Sequence, residues 1–231
     1  FNHFVGSIEQ KFASKMDSGS RFSEAFITTT LLYCVGAMAV VGSLNSGLSG
    51  DHEVLFTKSI LDGVSAVIFA STLGGKTPAE WQPLRQAFMQ EVIRPRIPAS
   101  AIALVQQYRM RGDMLVLTTA TSRFLVELTA IELGFEHLIA TELQLQGDGR
   151  FTGGTTGTLN MREGKVTRLN TWLEGRGIAP EAALPHASFH SDSINDLPLL
   201  LAVGQPVVVD PDARLEHEAI VRDWPVLRLP R

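Results

Sequence analysis

The sequence predicts an α/β fold with a parallel sheet for residues 76–231, preceded by an apolar α-helical segment in residues 1–75. Two observations predict this division. No charged residue occurs between Ala25 and Gly50, whereas from Lys76 onward amphipathic stretches alternate with short β-rich runs. Alternation of that kind is typical of parallel sheets covered by helices. The chain has 231 residues and a net charge of −4 without a long basic run, which disfavours nucleic acid as a partner.

The first 75 residues leave two structural interpretations open. The uncharged run that starts at Ala25 is long enough to cross a bilayer as a helix of about 20 residues. A second apolar run, Val54–Leu73, carries Lys58 and Asp62, whose i, i+4 spacing lets them neutralise each other on one helix face. The other interpretation is a pair of buried helices in a soluble domain, which the polar run Thr28–Thr30 favours.

The single cysteine and the start of the chain exclude further classes. Cys34 stands alone in an apolar stretch, so we expect a buried, inert thiol rather than a disulfide framework or a zinc site. No basic region precedes an apolar core near Phe1, so a secretory signal is not expected.

Residues 76–231 contain a regular succession of predicted elements. Hydrophobic periodicity predicts helices over Pro78–Ile93, Ala99–Arg111, Ser122–Leu133, Gly164–Gly175, Asn195–Ala202 and Ala213–Arg222. Short apolar, β-branched runs predict strands over Met114–Thr118, Leu138–Thr141, Ala187–Ser191, Pro206–Val209 and Val226–Leu229. The glycine spacing of Gly147–Met161 predicts a small β-hairpin between two of these elements.

Polar residues at strand ends and helix starts are candidate ligand contacts, since ligands of open parallel sheets bind beyond the carboxyl ends of the strands. Thr118 and Thr119 end a predicted strand just before Ser122 opens a helix, and hydroxyls beside helix amides can hold phosphate. Such residues are more often simple helix caps. Lys165 follows Gly164 at another helix start, where it is either a phosphate-binding charge or a solvated surface lysine.

A third group lies in the stretch SFHSDSINDLPLL. Asp192 ends a predicted strand, while Asn195 and Asp196 open the next helix. Carboxylates in this position suit Mg²⁺, which prefers oxygen ligands and retains several waters. The alternative is a helix cap followed by a first-turn acid.

These groups in this order resemble the haloacid dehalogenase superfamily, specifically its class IB, phosphoserine-phosphatase-like hydrolases. The resemblance covers about Lys76 to Arg231 and includes TTATSRF, GRFTGGTTG, REGKVTRL and SDSINDLPLL. It implies a Rossmann-like core, a small phosphorylated metabolite as substrate and Mg²⁺ as cofactor.

The same resemblance implies roles for individual residues. Thr119 and Lys165 match catalytic positions that bind and neutralise the transferring phosphoryl group, with Ala120 and Asn195 beside the phosphate. Asp192 and Asp196 match the metal-binding positions. Ser122 stands where close relatives often have asparagine, so the family's substrate contact is altered there.

The nucleophile of that family is missing from this chain. The family's aspartate lies in a DxDx[TV] motif on the first strand, and no D-x-D occurs near the start of the sequence. The closest imitation, AVIFASTLG, places Ala70 at the position of the nucleophile and Thr72 at that of the second acid. Without the aspartate no aspartyl-phosphate forms, so we expect turnover near background.

The missing strand also has a structural consequence. In the family it lies between the strands predicted here at Met114–Thr118 and Ala187–Ser191, which would otherwise expose unpaired backbone groups. The apolar run Val64–Ala70 is one substitute for that strand. A helix over Val54–Leu73 is the competing structure and the one that we favour.

The first 75 residues resemble a different family, the YqgA-type bacterial inner-membrane proteins of unknown function. The resemblance covers about Asn2 to Gly74 and includes CVGAMAVVGSL, GLSGDH and KSILDG. The chain is therefore interpreted as two partial proteins joined near Gly74, by natural fusion, by an assembly artefact or by engineering.

Together the two resemblances give one functional prediction and one alternative. The prediction is a Mg²⁺-dependent phosphomonoester hydrolase by ancestry, impaired by its missing nucleophile and cytoplasmic in residues 76–231. The alternative is a protein attached to the inner membrane through residues 25–73, with a non-catalytic phosphate- or Mg²⁺-binding α/β module.

Overall fold

The computed structural model describes residues 70–71 and 73–229. The apolar runs that begin at Ala25 and Val54, the Lys58–Asp62 pair and Cys34 lie outside the described residues, as does nearly all of Val64–Ala70. Ala70, Ser71 and Leu73 are helical. The rest of the predicted Val54–Leu73 helix lies outside the described residues, and that helix stays a prediction.

The described part of the chain alternates helices and strands. Its helices are α1 (Pro78–Phe88), α2 (Ala99–Met110), α3 (Arg123–Leu133), α4 (Glu163–Glu174), α5 (Pro180–Ala183), α6 (Leu197–Ala202) and α7 (Ala213–Val221). Its strands are β1 (Val116–Ser122), β2 (His137–Leu145), β3 (Phe151–Thr156), β4 (Ser188–Ser191), β5 (Gln205–Val209) and β6 (Val226–Leu227). A π-helical turn (Met89–Ile93) extends α1, and 3₁₀ turns occupy Arg94–Arg96, Leu184–His186 and Ile194–Asp196.

Local side-chain chemistry explains where these helices begin and end. Thr77 caps α1 in a reciprocal capping box with Glu80, and Pro78 occupies the first turn, where no N–H is needed. At the end of α3, Gly134 takes the left-handed conformation that glycine adopts most readily. The predicted helix Pro78–Ile93 changes to a π turn at Met89 because Pro95 follows, which has no N–H and would crowd an α-helical carbonyl.

The strands form two separate three-stranded sheets. In the first, β1 and β2 are parallel, and β2 and β3 form the predicted antiparallel hairpin. In the second, β4, β5 and β6 are all parallel. Among residues 70–71 and 73–229 no strand lies between β1 and β4. The parallel arrangement is as predicted.

The principal core lies in the second sheet and its helices. Leu200, Val208, Leu215 and Ala219 are fully buried, and Phe189, Ile194 and Trp224 pack around them. Helix α4 packs against α6, and its Arg168 and Trp172 contact Glu142 and His137 of β2, which connects this core to the first sheet. The carboxyl ends of β1 and β4 and the start of α4 then carry the candidate site residues.

The residues just before α1 dock on the hairpin. Gly75 donates to the carbonyl of Phe151, and the Phe151 N–H donates to the carbonyl of Lys76, both at 2.9 Å. A Cβ built on Gly153 would lie 3.3 Å from the Cα of Ser71, so the chain approaches closely there. No helix within the described ranges is long and apolar enough to span a bilayer.

Candidate functional site

The carboxyl end of β1 continues beyond the predicted strand and is held by hydrogen bonds from β2 and within the segment itself. Its register against β2 shifts between Thr119 and Ser122, so the intervening residues bulge from the regular ladder. Thr141 of β2 donates through its hydroxyl to the carbonyl of Ala120 at 2.7 Å. The hydroxyl of Thr119 accepts from the Thr121 N–H at 3.2 Å. Thr119 and Ala120 therefore lie in an irregular but fixed segment.

Ser122 lies at the first turn of α3 with an unusual environment. Its side chain is almost fully buried, yet its hydroxyl has no hydrogen-bond partner and does not cap the helix. The interpretation of Ser122 as a simple helix cap is therefore wrong. Buried hydroxyls are normally paired, so an unpaired one beside helix N-terminal amides is available to a ligand.

Asn160 is the buried residue that sequence reasoning missed. Its side chain is completely buried, and its amide nitrogen lies 3.0 Å from the Thr118 hydroxyl and 2.8 Å from each of the Thr119 and Ile139 carbonyls. Asn160 thereby holds the carboxyl end of β1 and the beginning of β2 to the segment that enters α4. The LNM stretch around it has no motif that marks this role.

Lys165 and Asp196 form a buried ion pair. The Lys165 ammonium lies 2.5 Å from Asp196 Oδ1, and both side chains are largely buried. The second carboxylate oxygen of Asp196 accepts from the Ser191 hydroxyl at 2.7 Å. The surface-lysine interpretation is therefore wrong for Lys165. Its charge is held inside the molecule, at the junction of α4 and the loop after β4.

The loop after β4 carries the remaining predicted residues. Asp192 is exposed and Asn195 is half-buried. The Asn195 N–H donates to the Ser193 hydroxyl at 3.3 Å, which caps the short 3₁₀ turn that begins at Ile194. The helix cap that was the alternative to a magnesium site is thus present, and Ser193 supplies the capping side chain.

A tyrosine–histidine pair lies beside this loop. Tyr108 of α2 and His190 of β4 approach to 3.0 Å between the hydroxyl and Nε2, with their rings edge to face. Burial lowers the pKa of His190, because the charged imidazolium loses its hydration. Burial therefore favours a neutral histidine two residues before Asp192.

The described residues do not by themselves fit a magnesium ion. Both oxygens of Asp196 are engaged, one by the Lys165 ammonium and the other by the Ser191 hydroxyl. No group of three His, Cys, Asp or Glu side chains within the described part of the chain could hold a metal. Two carboxylates were predicted to bind the metal, and of these Asp192 lies outside the Lys165–Asp196 pair. A single carboxylate makes a weak magnesium site on its own.

The structure brings most of the predicted residues into two connected groups. Thr119 and Ala120 lie at the end of β1, and Asn160 joins that strand to the start of α4. Lys165 on α4 then pairs with Asp196. Ala70, which the resemblance aligns with the nucleophile, is a buried helical residue whose carbonyl lies 3.7 Å from a Cβ built on Gly153 of β3. The described residues thus include a buried cation on α4 and, at the start of α3, a buried hydroxyl without a partner, and both kinds of group bind anions.

Comparison with known proteins gives two kinds of match. The family model described as protein of unknown function (DUF554) matches residues 1–134. An uncharacterized membrane protein of Bacillus subtilis is 30% identical over 113 residues, which are 46% of this chain and 47% of that protein. The match to the family model continues past the predicted boundary near Gly74, and that boundary remains a prediction.

The second kind of match is to phosphatases and their fold. A histidinol-phosphatase of Neisseria meningitidis is 42% identical over 148 residues, 64% of this chain and 66% of that protein. A Bordetella pertussis protein of unknown function has a solved structure with 35% identity and a TM-score of 0.68, covering 79% of this chain and 86% of that one. A substrate-bound phosphoserine phosphatase has 17% identity and a TM-score of 0.51, covering 72% and 71%.

These matches determine how specifically the chain can be assigned to known proteins. The phosphoserine phosphatase is similar to this chain in fold. The chain spans about half to two-thirds of the length of the curated relatives it matches. The class IB subdivision and the join near Gly74 stay predictions.

Proposed function

This chain belongs to the DUF554 family of proteins of unknown function, and we propose that its residues 76–231 are a haloacid dehalogenase-like phosphatase unit that binds phosphate monoesters but hydrolyses them at near-background rate. The substrate class is that of a small phosphorylated metabolite. The similarity to a histidinol-phosphatase and to the phosphoserine phosphatase fold supports this class.

The observation that carries the proposal is the buried Lys165–Asp196 pair. It brings the helix that follows the hairpin into contact with the loop that bears Asp192 and Asn195, although these segments are distant in sequence. An internal ammonium, an unpaired Ser122 hydroxyl and the α3 amides are the kinds of group that neutralise and orient a phosphate. Thr119 and Ala120 would line the same space from β1.

Slow turnover follows from the residue at position 70. Ala70 has no carboxylate to attack phosphorus, and it lies in a helical turn against the hairpin. A bound phosphate ester would be held without a nucleophile, and covalent catalysis requires one. The role of Asp192 in holding Mg²⁺ stays a prediction, and we assign no step to the metal.

Calorimetry and a turnover assay on the full chain test the proposal. We expect inorganic phosphate to bind at millimolar concentration or below, with and without Mg²⁺, and Lys165→Met to abolish binding. Lys76→Met is the matched control, because it removes an exposed lysine away from the site. Hydrolysis of p-nitrophenyl phosphate should stay near background. Absence of heat would contradict the binding site, and rapid turnover abolished by Asp192→Ala would contradict the missing nucleophile.

The second candidate function is that of a membrane-associated protein with the α/β part as a binding module. The match of residues 1–134 to DUF554 and the similarity to a protein named as a membrane protein favour it. Extraction of membranes from expressing cells with alkaline carbonate tests this candidate. Retention of the chain in the membrane pellet would support it, and release into the supernatant would contradict it.

A further inference from the structure

Asp212 lies outside every predicted motif, yet it contacts the loop that carries the candidate site. It precedes α7, and its Oδ1 accepts from the N–H groups of Arg214 and Leu215 at 3.0 and 2.9 Å. These two bonds cap α7 in the ordinary way. A helix cap needs only this one oxygen.

The second carboxylate oxygen of Asp212 binds outside α7. Oδ2 accepts from the N–H of Ile194 at 3.2 Å, in the middle of the loop between Asp192 and Asn195. The Asp212 N–H also donates to the carbonyl of Asp192 at 3.2 Å. Asp212 therefore connects the start of α7 to the loop at two points on either side of Ser193.

We propose that Asp212 is a positioning residue, which fixes the loop from Asp192 to Asp196 in the conformation that the phosphate site requires. The proposal rests on the proposed phosphate-binding function. Asp196 holds Lys165 from this loop, so freedom in the loop would also loosen the ammonium. In metal sites, removal of a residue that orients a ligand through one hydrogen bond typically lowers affinity about 10- to 100-fold.

The sign of the effect distinguishes positioning from simple electrostatics. Removing a carboxylate near an anion site lowers repulsion, so charge alone predicts tighter phosphate binding when Asp212 is neutralised. Positioning predicts the opposite, because the loop must then be ordered when phosphate binds. A loss of affinity in a variant that loses a negative charge is therefore specific to positioning.

Two substitutions retain the cap and the backbone bond to Asp192 but remove the side-chain bond to Ile194. Serine at position 212 can accept from the first helical amides but is too short to reach Ile194 as well. Asparagine has the same shape as aspartate, but its single oxygen can accept from only one of the two groups of donors. Both residues are favoured caps, so α7 should remain folded in Asp212→Ser and Asp212→Asn. Asp148→Asn is the charge-matched control, since Asp148 lies in the exposed hairpin turn.

Calorimetry of the full chain with inorganic phosphate, together with amide exchange followed by NMR, tests the proposal. We expect Asp212→Ser and Asp212→Asn to weaken phosphate binding about tenfold, with faster exchange of the Ile194 amide, and Asp148→Asn to bind as the unaltered chain does. Phosphate binding by both variants as tight as, or tighter than, that of the unaltered chain would overturn the role of Asp212 and leave the proposed function intact. Unchanged protection of the Ile194 amide would also overturn it. Failure of the unaltered chain to bind phosphate would overturn both proposals.

Discussion

Lys165 and Asp196 show how a buried ion pair can constrain a site without adding much net stability. Desolvation of two charges offsets most of their attraction, but removal of one partner leaves the other charge buried and uncompensated. We expect Lys165→Met to lower the free energy of unfolding by about 3 kcal/mol. Urea denaturation followed by circular dichroism measures the change.

Two further variants isolate the cause of that loss. Arg228→Met breaks the exposed Arg228–Glu216 pair and should cost less than about 1 kcal/mol. The double variant Lys165→Met/Asp196→Leu removes both buried charges and should recover much of the lost stability. A double variant as unstable as Lys165→Met would mean that the packing of the lysine chain, rather than an unpaired charge, causes the loss.

His190 gives the stability of the protein a pH dependence of known sign. Burial lowers its pKa in the folded state below the ordinary value of about 6.5. As the pH falls below about 6.5, the unfolded chain binds a proton that the folded chain does not yet accept, so stability falls. Above that pH the stabilisation is fully present. We expect His190→Gln to lose less stability than the unaltered chain between pH 7.5 and pH 5.5.

The tyrosine partner provides the control for this prediction. Tyr108→Phe removes the hydroxyl 3.0 Å from His190 Nε2 but keeps the ring that buries the imidazole. Because burial is the cause of the lowered pKa, Tyr108→Phe should keep the pH dependence of the unaltered chain. Chemical denaturation at several pH values measures both variants. Equal pH slopes in His190→Gln and the unaltered chain would contradict the prediction.

At the scale of elements, local chemistry made most of the fold predictable from the sequence. Thr77 and Glu80 mark the start of α1, and Gly134 marks the end of α3, as the capping rules require. The hairpin was predictable from the glycines of Gly147–Met161. The continuation of β1 to Ser122 was not predictable, because it depends on pairing with β2 across a bulge.

The site residues also differed in predictability, because some depend on local sequence and others on contacts with distant segments. Asp192 and Lys165 stand in recognisable motifs, but the burial of Lys165 depends on a partner 31 positions later, Asp196. Asn160 and Asp212 act through bonds to segments distant in sequence. An isolated asparagine or a helix cap has no periodicity or spacing that reveals such a partner.

The docking of the chain before α1 on the hairpin depends on Gly153. This glycine has a φ of +89°, and a Cβ added to it would lie 3.3 Å from the Cα of Ser71. Gly153→Ala should therefore cost backbone strain plus the loss of this close approach. Gly157→Ala is the matched control, because Gly157 has a φ of +69° but open space around its Cα.

The expected difference is measurable in two ways. Gly157→Ala should cost about 1 kcal/mol from strain alone, and Gly153→Ala about 1–3 kcal/mol more from overpacking. Trypsin should cleave after Lys76 faster in Gly153→Ala, since the Lys76 carbonyl accepts from Phe151 of the hairpin. Equal stability and equal cleavage in the two variants would mean that the contact with Ser71 does not hold this segment.

At the scale of the whole molecule, the strands of the described residues form two sheets rather than one. Within the described ranges β1 pairs only with β2, and β4 pairs only with β5. This chain matches only part of the length of the relatives that are named as phosphatases. The two sheets are joined instead through α4, α6 and the Lys165–Asp196 pair.

Amide exchange resolved by NMR tests whether the two sheets are separate in solution. In a parallel strand, successive N–H groups point to opposite sides, so an edge strand leaves half of them unpaired. β5 pairs on both sides, and we expect its amides to exchange slowest. The outward amides of β1 and β4 should exchange at least about tenfold faster than their inward neighbours. Equal protection on both sides of β1 and β4 would mean that another segment of the chain pairs there and joins the six strands into one sheet.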